Sequence, residues 1–476
     1  MADIAKDVFF ATITELNAKL KAKEFSATEL ARAFCSRLEK LGPGYNALAL
    51  LLRDEADRRA KDVDGDIKRG RLRGPLQGIP FGVKDLLTVA HYPTTWGARP
   101  YAGQVFTFDA TVVKRLDGAG AVLAGKLSMV ELAGGGGYKY ASASLTGPGL
   151  NPWDRTRWSG GSSSGPGSAV AAGLVPFAIG SETWGSILTP SAYCGVTGLR
   201  PTYGFVSRYG AMPLSWTMDK IGPMCRSAED CGLVLRAIAG GDMKDPGSAG
   251  KNFYYAPQFA RKASDLRIGF APVDYSDWAE PSTRPAFQAA LEAIRGLGAK
   301  MVETRLPDLP YSLVARTMIS AEGSAVFEPL IRSGKVDQLA DRDQIAGLKA
   351  GLEIAAKDYL KAMRIRSLIR NEMKKLFTQV DILISPSVFS SAPKVSEPLD
   401  GRFKPSPEPR DRGLRDLGAA GNLAGLPALS LPCGFTAEGL PVALQAVGRA
   451  FNENMIVAFG VEFQKQTDWH RRRPTV

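Results

Sequence analysis

The chain has 476 residues, of which 45% are hydrophobic and 23% are charged, a balance typical of a globular protein with a large core. It has only two histidines, His91 and His470, so metal sites built on several imidazoles are almost excluded. The formal charge is +12, but the basic residues are dispersed except in the run 470–473. We therefore expect a solvated tail there and no nucleic-acid partner.

The five cysteines are odd in number, widely spaced and without any CxxC pair. This pattern predicts buried thiols in a reducing compartment and neither disulfides nor a zinc site. No apolar stretch reaches the roughly 18 residues of a membrane span, and the first residues lack the pattern of an export signal. The sequence thus predicts a cytoplasmic protein without metal, cofactor or membrane contact.

Helical patterns dominate the first part of the chain. Residues 6–60 predict two or three amphipathic helices, and the second begins at the capping box Ser26–Glu29 and ends before Gly42. The apolar run 79–84 then predicts a buried strand that ends in Lys84.

Farther on, helices and strands alternate. Helices are predicted at 110–116, 283–297, 357–377 and 453–466, strands at 121–124 and 381–385, and a further apolar segment at 442–448. Residues 134–168 predict a loop, 169–180 a buried helix followed by a strand, and 387–412 a long surface loop. The alternation predicts an α/β protein with a mixed central β-sheet, and no boundary separates two domains.

Two patches rich in Gly and Ser, at 160–165 and 180–187, are the candidates for chemistry. Neither continues into the Gly-Lys-Ser/Thr of a phosphate loop or fits a dinucleotide fingerprint. A serine nucleophile needs an adjacent base, and with histidine nearly absent a lysine is the plausible base, since serine–lysine pairs are a known variant of the triad. Lys84 fits, because burial at a strand end would lower its pKa, although an ion pair with Asp85 is an alternative interpretation.

Seven sequence blocks follow one another in an order and spacing that carry a family resemblance. They are GIPFGVKD at 78–85, KLSMVELA at 126–133, NPWD at 151–154, GGSSSGPGSAVAAGLVPFAIGSETWGSI at 160–187, CGVTGLRPTYGFVSRYG at 194–210, DKIGP at 219–223 and NLAGLPALSLPCGF at 422–435. Together they resemble the amidase signature family. The resemblance implies a mixed central sheet flanked by helices on both faces, in one domain spanning 1–476. It also implies N-terminal helices at about 6–60 and a divergent substrate-pocket region at about 250–410.

The resemblance further implies a Ser-cisSer-Lys triad. Lys84 matches the base, Ser162 the cis-serine that relays the proton, and Ser186 the nucleophile. Ser163 matches a serine that orients the lysine, and the Gly161–Ser162 peptide bond is expected to be cis. Backbone N–H groups match an oxyanion hole, which stabilises negative charge on the carbonyl oxygen; they belong to Thr183, Trp184, Gly185 and Ser186.

Three departures from the family pattern concern the site. Trp184 replaces a usual glycine, and we predict that its indole either lines the substrate pocket or fills core space. Glu182 and Leu188 replace a usual aspartate and arginine, so that an ion pair below the nucleophile is absent or rebuilt. Leu86 and Ser128 replace usual asparagines.

Three functions fit these motifs. The first is hydrolysis of a small carboxamide, anilide or carbamate through a Ser186 acyl-enzyme, in a pocket that includes Met129. The second is the glutamine-hydrolysing A subunit of an aspartyl/glutamyl-tRNA amidotransferase. It needs charged residues to hold glutamine, with Arg342 and Asp416 as candidates, and it needs a partner subunit. The third is a non-catalytic binding protein on the same scaffold, against which the complete triad argues. The N-terminal helices could also pair two copies of the chain in a homodimer.

Overall fold

The computed structural model describes residues 4–401 and 403–476, and every structural statement below concerns these residues. The α-helices are α1 Ile13–Lys21, α2 Ala27–Leu41, α3 Arg53–Lys68, α4 Thr111–Gly118, α5 Ser164–Ala171, α6 Leu188–Cys194, α7 Ala228–Ile238, α8 Pro272–Ser276, α9 Arg284–Gly296, α10 Tyr311–Val326, α11 Glu328–Arg332, α12 Arg342–Gly351, α13 Ala356–Gln379, α14 Leu417–Ala424 and α15 Glu453–Gln466. The β-strands are β1 Leu48–Leu51, β2 Pro80–Lys84, β3 Val122–Leu127, β4 Leu150–Asn151, β5 Asp154–Trp158, β6 Phe177–Glu182, β7 Thr197–Arg200, β8 Lys220–Cys225, β9 Arg267–Phe270, β10 Lys300–Glu303, β11 Ile382–Pro386, β12 Ala428–Phe435 and β13 Pro441–Val447.

A single large sheet organises the molecule. Its eleven strands lie in the order β1-β3-β2-β6-β8-β7-β12-β13-β11-β9-β10. Strands β3, β2 and β6 are parallel, as are β11, β9 and β10, while the strands between these two groups pair antiparallel. The sheet is therefore mixed, with helices packed against it, and the predicted fold class is confirmed.

The sheet brings the chemical motifs to one region. All five residues of β2 are buried, as its apolar sequence predicts, and this strand ends at Lys84. Val83 pairs with Ile179 of the neighbouring strand β6, which is buried throughout and ends at Glu182. Glu182 in turn lies opposite Lys220 of β8. The ends of three adjacent strands thus surround the predicted triad.

The N-terminal helices form as their sequences predict. The Ser26 hydroxyl accepts a hydrogen bond from the Glu29 N–H, and the Glu29 carboxylate accepts the Ser26 N–H, which completes the predicted capping box of α2. The helix ends at Leu41, directly before Gly42. A second capping box, between Thr12 and Glu15, begins α1.

Three expectations about loops need correction. The interval 134–168 contains the hairpin β4–β5 and the start of α5, because Gly- and Ser-rich sequence also suits tightly packed backbone. Part of the surface loop predicted at 387–412 is packed, since Ala392 and Leu399 are buried near Trp158; residue 402 lies outside the described residues. His470, expected in a solvated tail, is only 8% exposed.

All five cysteines have buried side chains, which confirms this part of the prediction. Within the two described ranges, no helix has both the length and the apolar character that a membrane crossing requires.

Candidate active site

Lys84 is the centre of the predicted site. Its side chain is fully buried, and Nζ donates hydrogen bonds to Ser162 Oγ at 2.7 Å and to Ser181 Oγ at 3.0 Å. Burial lowers the pKa of Lys84 from 10.5 to about 7, although the negative charges of Asp219 and Glu182 act to raise it. The amine can therefore be neutral near pH 7, which is the state that a general base requires.

The alternative interpretation, an ion pair between Lys84 and its neighbour Asp85, does not hold. Asp85 Oδ1 lies 2.7 Å from Nζ of Lys126, and both side chains are almost completely buried. The Asp85 carboxylate is therefore engaged by Lys126 of β3.

Ser162 and Ser163 lie between Lys84 and the nucleophile loop. The Gly161–Ser162 peptide bond is cis, as the resemblance implied. Ser163 Oγ donates to the Ser181 carbonyl at 3.2 Å and accepts the Ser181 N–H at 3.3 Å. Ser163 thus reaches Lys84 through Ser181, a residue that the sequence analysis did not single out.

Ser186 begins the turn that leads from β6 into α6. It is 8% exposed, and its carbonyl accepts the Ser163 N–H at 3.3 Å. In the part of the chain that the structure describes, its hydroxyl makes no hydrogen bond, so the contact from Ser162 to Ser186 is not formed here. Gly185 has φ +87°, a left-handed conformation that explains a glycine directly before Ser186.

Thr183, the first residue of the predicted oxyanion hole, is held from two sides. Its hydroxyl donates to Asp219 Oδ1 at 2.6 Å, and its carbonyl accepts from Lys220 Nζ at 3.3 Å. Lys220 Nζ also donates to Asn422 Oδ1 at 2.7 Å, and burial lowers its pKa well below the ordinary value.

A buried ion pair below the nucleophile is rebuilt with a different partner. Glu182 Oε1 lies 2.8 Å from Arg200 Nη1, and neither side chain is exposed. Glu182 Oε2 accepts the N–H groups of Ile187 and Leu188 at 2.9 and 3.0 Å. Burial alone would raise the pKa of Glu182, but the charges of Arg200 and Lys220, together with the hydrogen bonds from Arg200 and the Ile187 N–H, lower it to about 2. Leu188, which replaces the usual arginine, packs in an apolar cluster with Met218.

The two predicted pocket residues, Trp184 and Met129, are not among the residues that line the cavity described in the next paragraph. Trp184 is half-buried in the apolar cluster around α14, where a Cβ at Gly418 would be 3.8 Å from its indole nitrogen. Its backbone does not adopt a positive φ, so the usual glycine is replaced without strain. Met129 is fully buried in the main core beneath Gly97.

A cavity of about 200 Å³ lies beside the site. Ser181 and Thr183 line it, together with much of the segment 208–221. The sequence analysis missed this segment, because only the pairing of β6 with β8 brings residues 181–183 and 219–221 together.

A buried lysine between two hydroxyls, next to a strand-to-helix turn that carries a serine, fits the site that the family resemblance implies. The family model described as Amidase matches residues 29–457, and the chain belongs to this family.

Similar proteins of known sequence belong to tRNA amidotransferases. The chain is 37% identical over 489 residues to the A subunit of the glutamyl-tRNA(Gln) amidotransferase of Chloroflexus aurantiacus, with 97% of this chain and 98% of the relative covered. It is 38% identical over 493 residues to the corresponding protein of Synechococcus elongatus, with 98% and 100% covered.

Similar solved structures include stand-alone amidases as well. The peptide amidase of Stenotrophomonas maltophilia has a TM-score of 0.83 and 30% identity, with 98% of both chains covered. The glutamyl-tRNA(Gln) amidotransferase A subunit of Thermotoga maritima has a TM-score of 0.77 and 28% identity, covering 96% of this chain and 94% of that chain. A bacterial aryl acylamidase of the amidase signature family has a TM-score of 0.86 at 22% identity and covers 99% and 100%, which shows the shared fold.

Proposed function

We propose that the chain cleaves a carboxamide through an acyl-enzyme on Ser186, with Lys84 as the base and Ser162 as the relay. The observation that carries the proposal is the fully buried Lys84 Nζ at 2.7 Å from Ser162 Oγ. A lysine with a pKa near 7 can accept a proton at neutral pH, which an exposed lysine cannot.

The proposed reaction has two stages. Ser186 Oγ attacks the carbonyl carbon while its proton passes through Ser162 to Lys84, and the oxyanion is stabilised by N–H groups of residues 183–186. The C–N bond then breaks, and the proton returns through Ser162 to the leaving amine. Water hydrolyses the acyl-enzyme by the same relay and releases the carboxylic acid.

The relatives favour glutamine over a small amide as the substrate, and they favour a role within a tRNA amidotransferase. Amidotransferase A subunits at 37–38% identity match the chain over almost its whole length. In this role the ammonia from glutamine passes to a partner subunit, and the protein acts in the cytoplasm.

The second candidate is hydrolysis of a small amide by the chain alone. It is favoured because the two candidate glutamine-binding residues do not lie at the cavity beside the site. Arg342 is exposed at the start of α12. Asp416 already accepts from Ser312 Oγ at 3.0 Å and pairs with Arg412 at 3.0 Å. Neither residue lines the cavity at Ser181 and Thr183.

One substrate panel tests the reaction and separates the two candidates. The purified chain would be assayed for ammonia release from glutamine and for hydrolysis of alkyl and aryl amides and carbamates. We expect Ser186→Ala to lower turnover by about 10³-fold or more, whereas Ser142→Ala, at an exposed serine outside the site, should match wild type.

The outcomes are distinct. Release of ammonia from glutamine only when a partner subunit is added supports the first candidate, and hydrolysis of simple amides by the chain alone supports the second. Turnover that survives in Ser186→Ala refutes the assigned nucleophile. Binding of amides without any turnover would instead favour a non-catalytic protein.

A further inference from the structure

Glu322 of α10 is a buried acid that the proposed reaction does not use. Its side chain is 1% exposed, and its carboxylate accepts hydrogen bonds from residues of the loop 213–219. Oε2 accepts from Ser215 Oγ at 2.6 Å and from the Thr217 N–H at 3.2 Å, and Oε1 accepts from Thr217 Oγ1 at 2.7 Å. A fourth bond comes from the Tyr359 hydroxyl of α13, at 2.8 Å. One carboxylate thus joins two helices to this loop.

A cation of α13 holds the same loop. Arg366, which is 9% exposed, donates from Nη2 to the Thr217 carbonyl at 2.8 Å and from Nε to the Leu423 carbonyl at 2.8 Å. Hydrogen bonds that involve a charged group are roughly twice as strong as those between neutral groups. The loop 213–219 is therefore held at its centre by two buried charges from neighbouring helices.

The loop ends at Asp219, which connects it to the candidate site. Asp219 Oδ2 accepts the N–H groups of Leu214 and Ser215, each at 2.8 Å. Asp219 Oδ1 accepts from the Thr183 hydroxyl at 2.6 Å. Ser215 contacts Glu322 through its hydroxyl and Asp219 through its N–H, so that a continuous series of hydrogen bonds leads from Glu322 to Thr183.

Thr183 is the first residue of the predicted oxyanion hole, and an oxyanion donor must be placed accurately. A misplacement of about 1 Å in a catalytic geometry can lower the rate about 100-fold. We propose that Glu322 is a positioning residue for the oxyanion hole, which acts on Thr183 through Ser215 and Asp219. The inference rests on the proposed function, and it assigns a role to a residue outside every block that carries the family resemblance.

Removal of the Glu322 carboxylate should lower kcat and leave KM nearly unchanged. The oxyanion forms only in the transition state, so a displaced donor does not weaken the binding of substrate. In Glu322→Ala we expect kcat to fall about 10- to 100-fold for whichever amide of the substrate panel wild type hydrolyses. Glu322→Gln should keep most of the activity, since its amide oxygen can accept the Thr217 N–H and its nitrogen can donate to the hydroxyls of Thr217 and Tyr359.

A matched control is available on the next helix. Glu328 of α11 is 42% exposed and pairs with Arg332 at 2.5 Å. Glu328→Ala removes the same atoms as Glu322→Ala but contacts neither the loop 213–219 nor the site, and it should keep the wild-type kcat.

Assays at pH 9 separate this effect from a change in the base. Burial lowers the pKa of Lys84 to about 7, whereas the charge of Asp219 acts to raise it. A displaced Asp219 would therefore alter the fraction of neutral lysine at pH 7. At pH 9, well above that pKa, the amine is neutral, so a loss of kcat that persists there arises from the oxyanion hole.

A double-mutant cycle tests whether Glu322 acts through Thr183. Thr183→Val removes the hydroxyl that Asp219 accepts but keeps the backbone N–H and the side-chain shape, and it should lower kcat about tenfold. If both residues act through one series of hydrogen bonds, the double variant should lose little more than the more affected single variant, whereas independent losses multiply. Ser215→Ala removes a single hydroxyl and takes the place of Glu322→Ala in the cycle if the latter does not fold.

The outcomes are separable from those of the proposed function. An unchanged kcat in Glu322→Ala and Ser215→Ala, a change confined to KM, a loss that disappears at pH 9, or losses that multiply in the double variant each overturn the role of Glu322. In all of these cases wild type still cleaves an amide, and the proposed function stands. A wild type that cleaves no amide, glutamine included, overturns the proposed function and this inference with it.

Discussion

At the scale of single residues, the protonation state of Lys84 governs the proposed activity. Burial lowers its pKa to about 7, and only the neutral amine can accept the proton from Ser162. We therefore expect kcat/KM to be level above about pH 8 and to fall about tenfold per pH unit below pH 7. A pH–rate profile that stays flat down to pH 5 would contradict Lys84 as the base.

Substitution of Lys84 should separate catalysis from folding. Between pH 7 and about 10.5 the unfolded chain holds a proton that the folded chain has lost, so the buried amine destabilises the fold at neutral pH. Lys84→Met should thus abolish turnover and yet unfold at a higher urea concentration than wild type at pH 7. The gain should shrink as the pH approaches 10, and a less stable variant at pH 7 would refute this account of the lysine.

The residues that could be predicted are those whose roles follow from local sequence. The buried run before Lys84 indicated a buried base, whereas the roles of Ser162 and Ser186 came from the family resemblance. Trp184 and Met129 illustrate the limit, because the position of a side chain relative to a cavity depends on the packing of distant elements. The sequence already shows that Leu86 replaces the asparagine usual in the family, but only the fold shows that Leu86 lines a cavity.

At the scale of elements, the connection from β6 to α6 is held from below by one buried ion pair. Glu182 accepts the N–H groups of Ile187 and Leu188, and Arg200 of β7 compensates its charge. Arg200→Met would leave the buried carboxylate without its ion-pair partner, which costs about 3–5 kcal/mol. We expect a loss of that size in the free energy of unfolding, measured with urea, and a decrease in kcat as the Ser186 turn loosens.

An exposed ion pair supplies the control for this prediction. Arg58 and Glu55 lie 2.5 Å apart on α3, with side-chain exposures of 61% and 32%. Arg58→Met should change the free energy of unfolding by no more than about 1 kcal/mol, because water already solvates both charges. Equal losses in Arg58→Met and Arg200→Met would show that the buried pair does not support the turn.

The connection from β6 to α6 also shows why the sequence alone does not identify the ion-pair partner of Glu182. The family pattern points to position 188, on the same turn, as the partner of Glu182, whereas Arg200 comes from the next strand. Asn422, which donates to Glu182 Oε1 at 3.0 Å, is 240 residues away. The sequence pattern predicts a strand close to β6 but does not predict β7, and it does not specify which polar side chains meet beneath them.

At the scale of the whole molecule, the N-terminal and C-terminal segments of the described chain pack against each other. Arg471 lies 3.3 Å from Glu15 of α1, and the guanidinium of Arg473 stacks over Phe10 at 5.1 Å from the ring centre. Trp469 packs on Phe463 of α15, with ring centres 5.7 Å apart. A basic C-terminal run is thus part of the packed structure, although its composition is that of a solvated tail.

The buried His470 should make this closure sensitive to acid. Burial and the charges of Arg471 and Arg226 lower the pKa of His470 to about 4. Between about pH 6.5 and pH 4 the unfolded chain therefore binds a proton that the folded chain excludes, and wild type loses stability as the pH falls. His470→Phe lacks this pH-dependent loss of stability. The difference in the free energy of unfolding between wild type and His470→Phe, measured with urea at several pH values, should therefore change by up to about 1.4 kcal/mol per pH unit. Because both proteins share every other titrating group, parallel curves over this range would show that the terminal segment opens before the rest of the molecule unfolds.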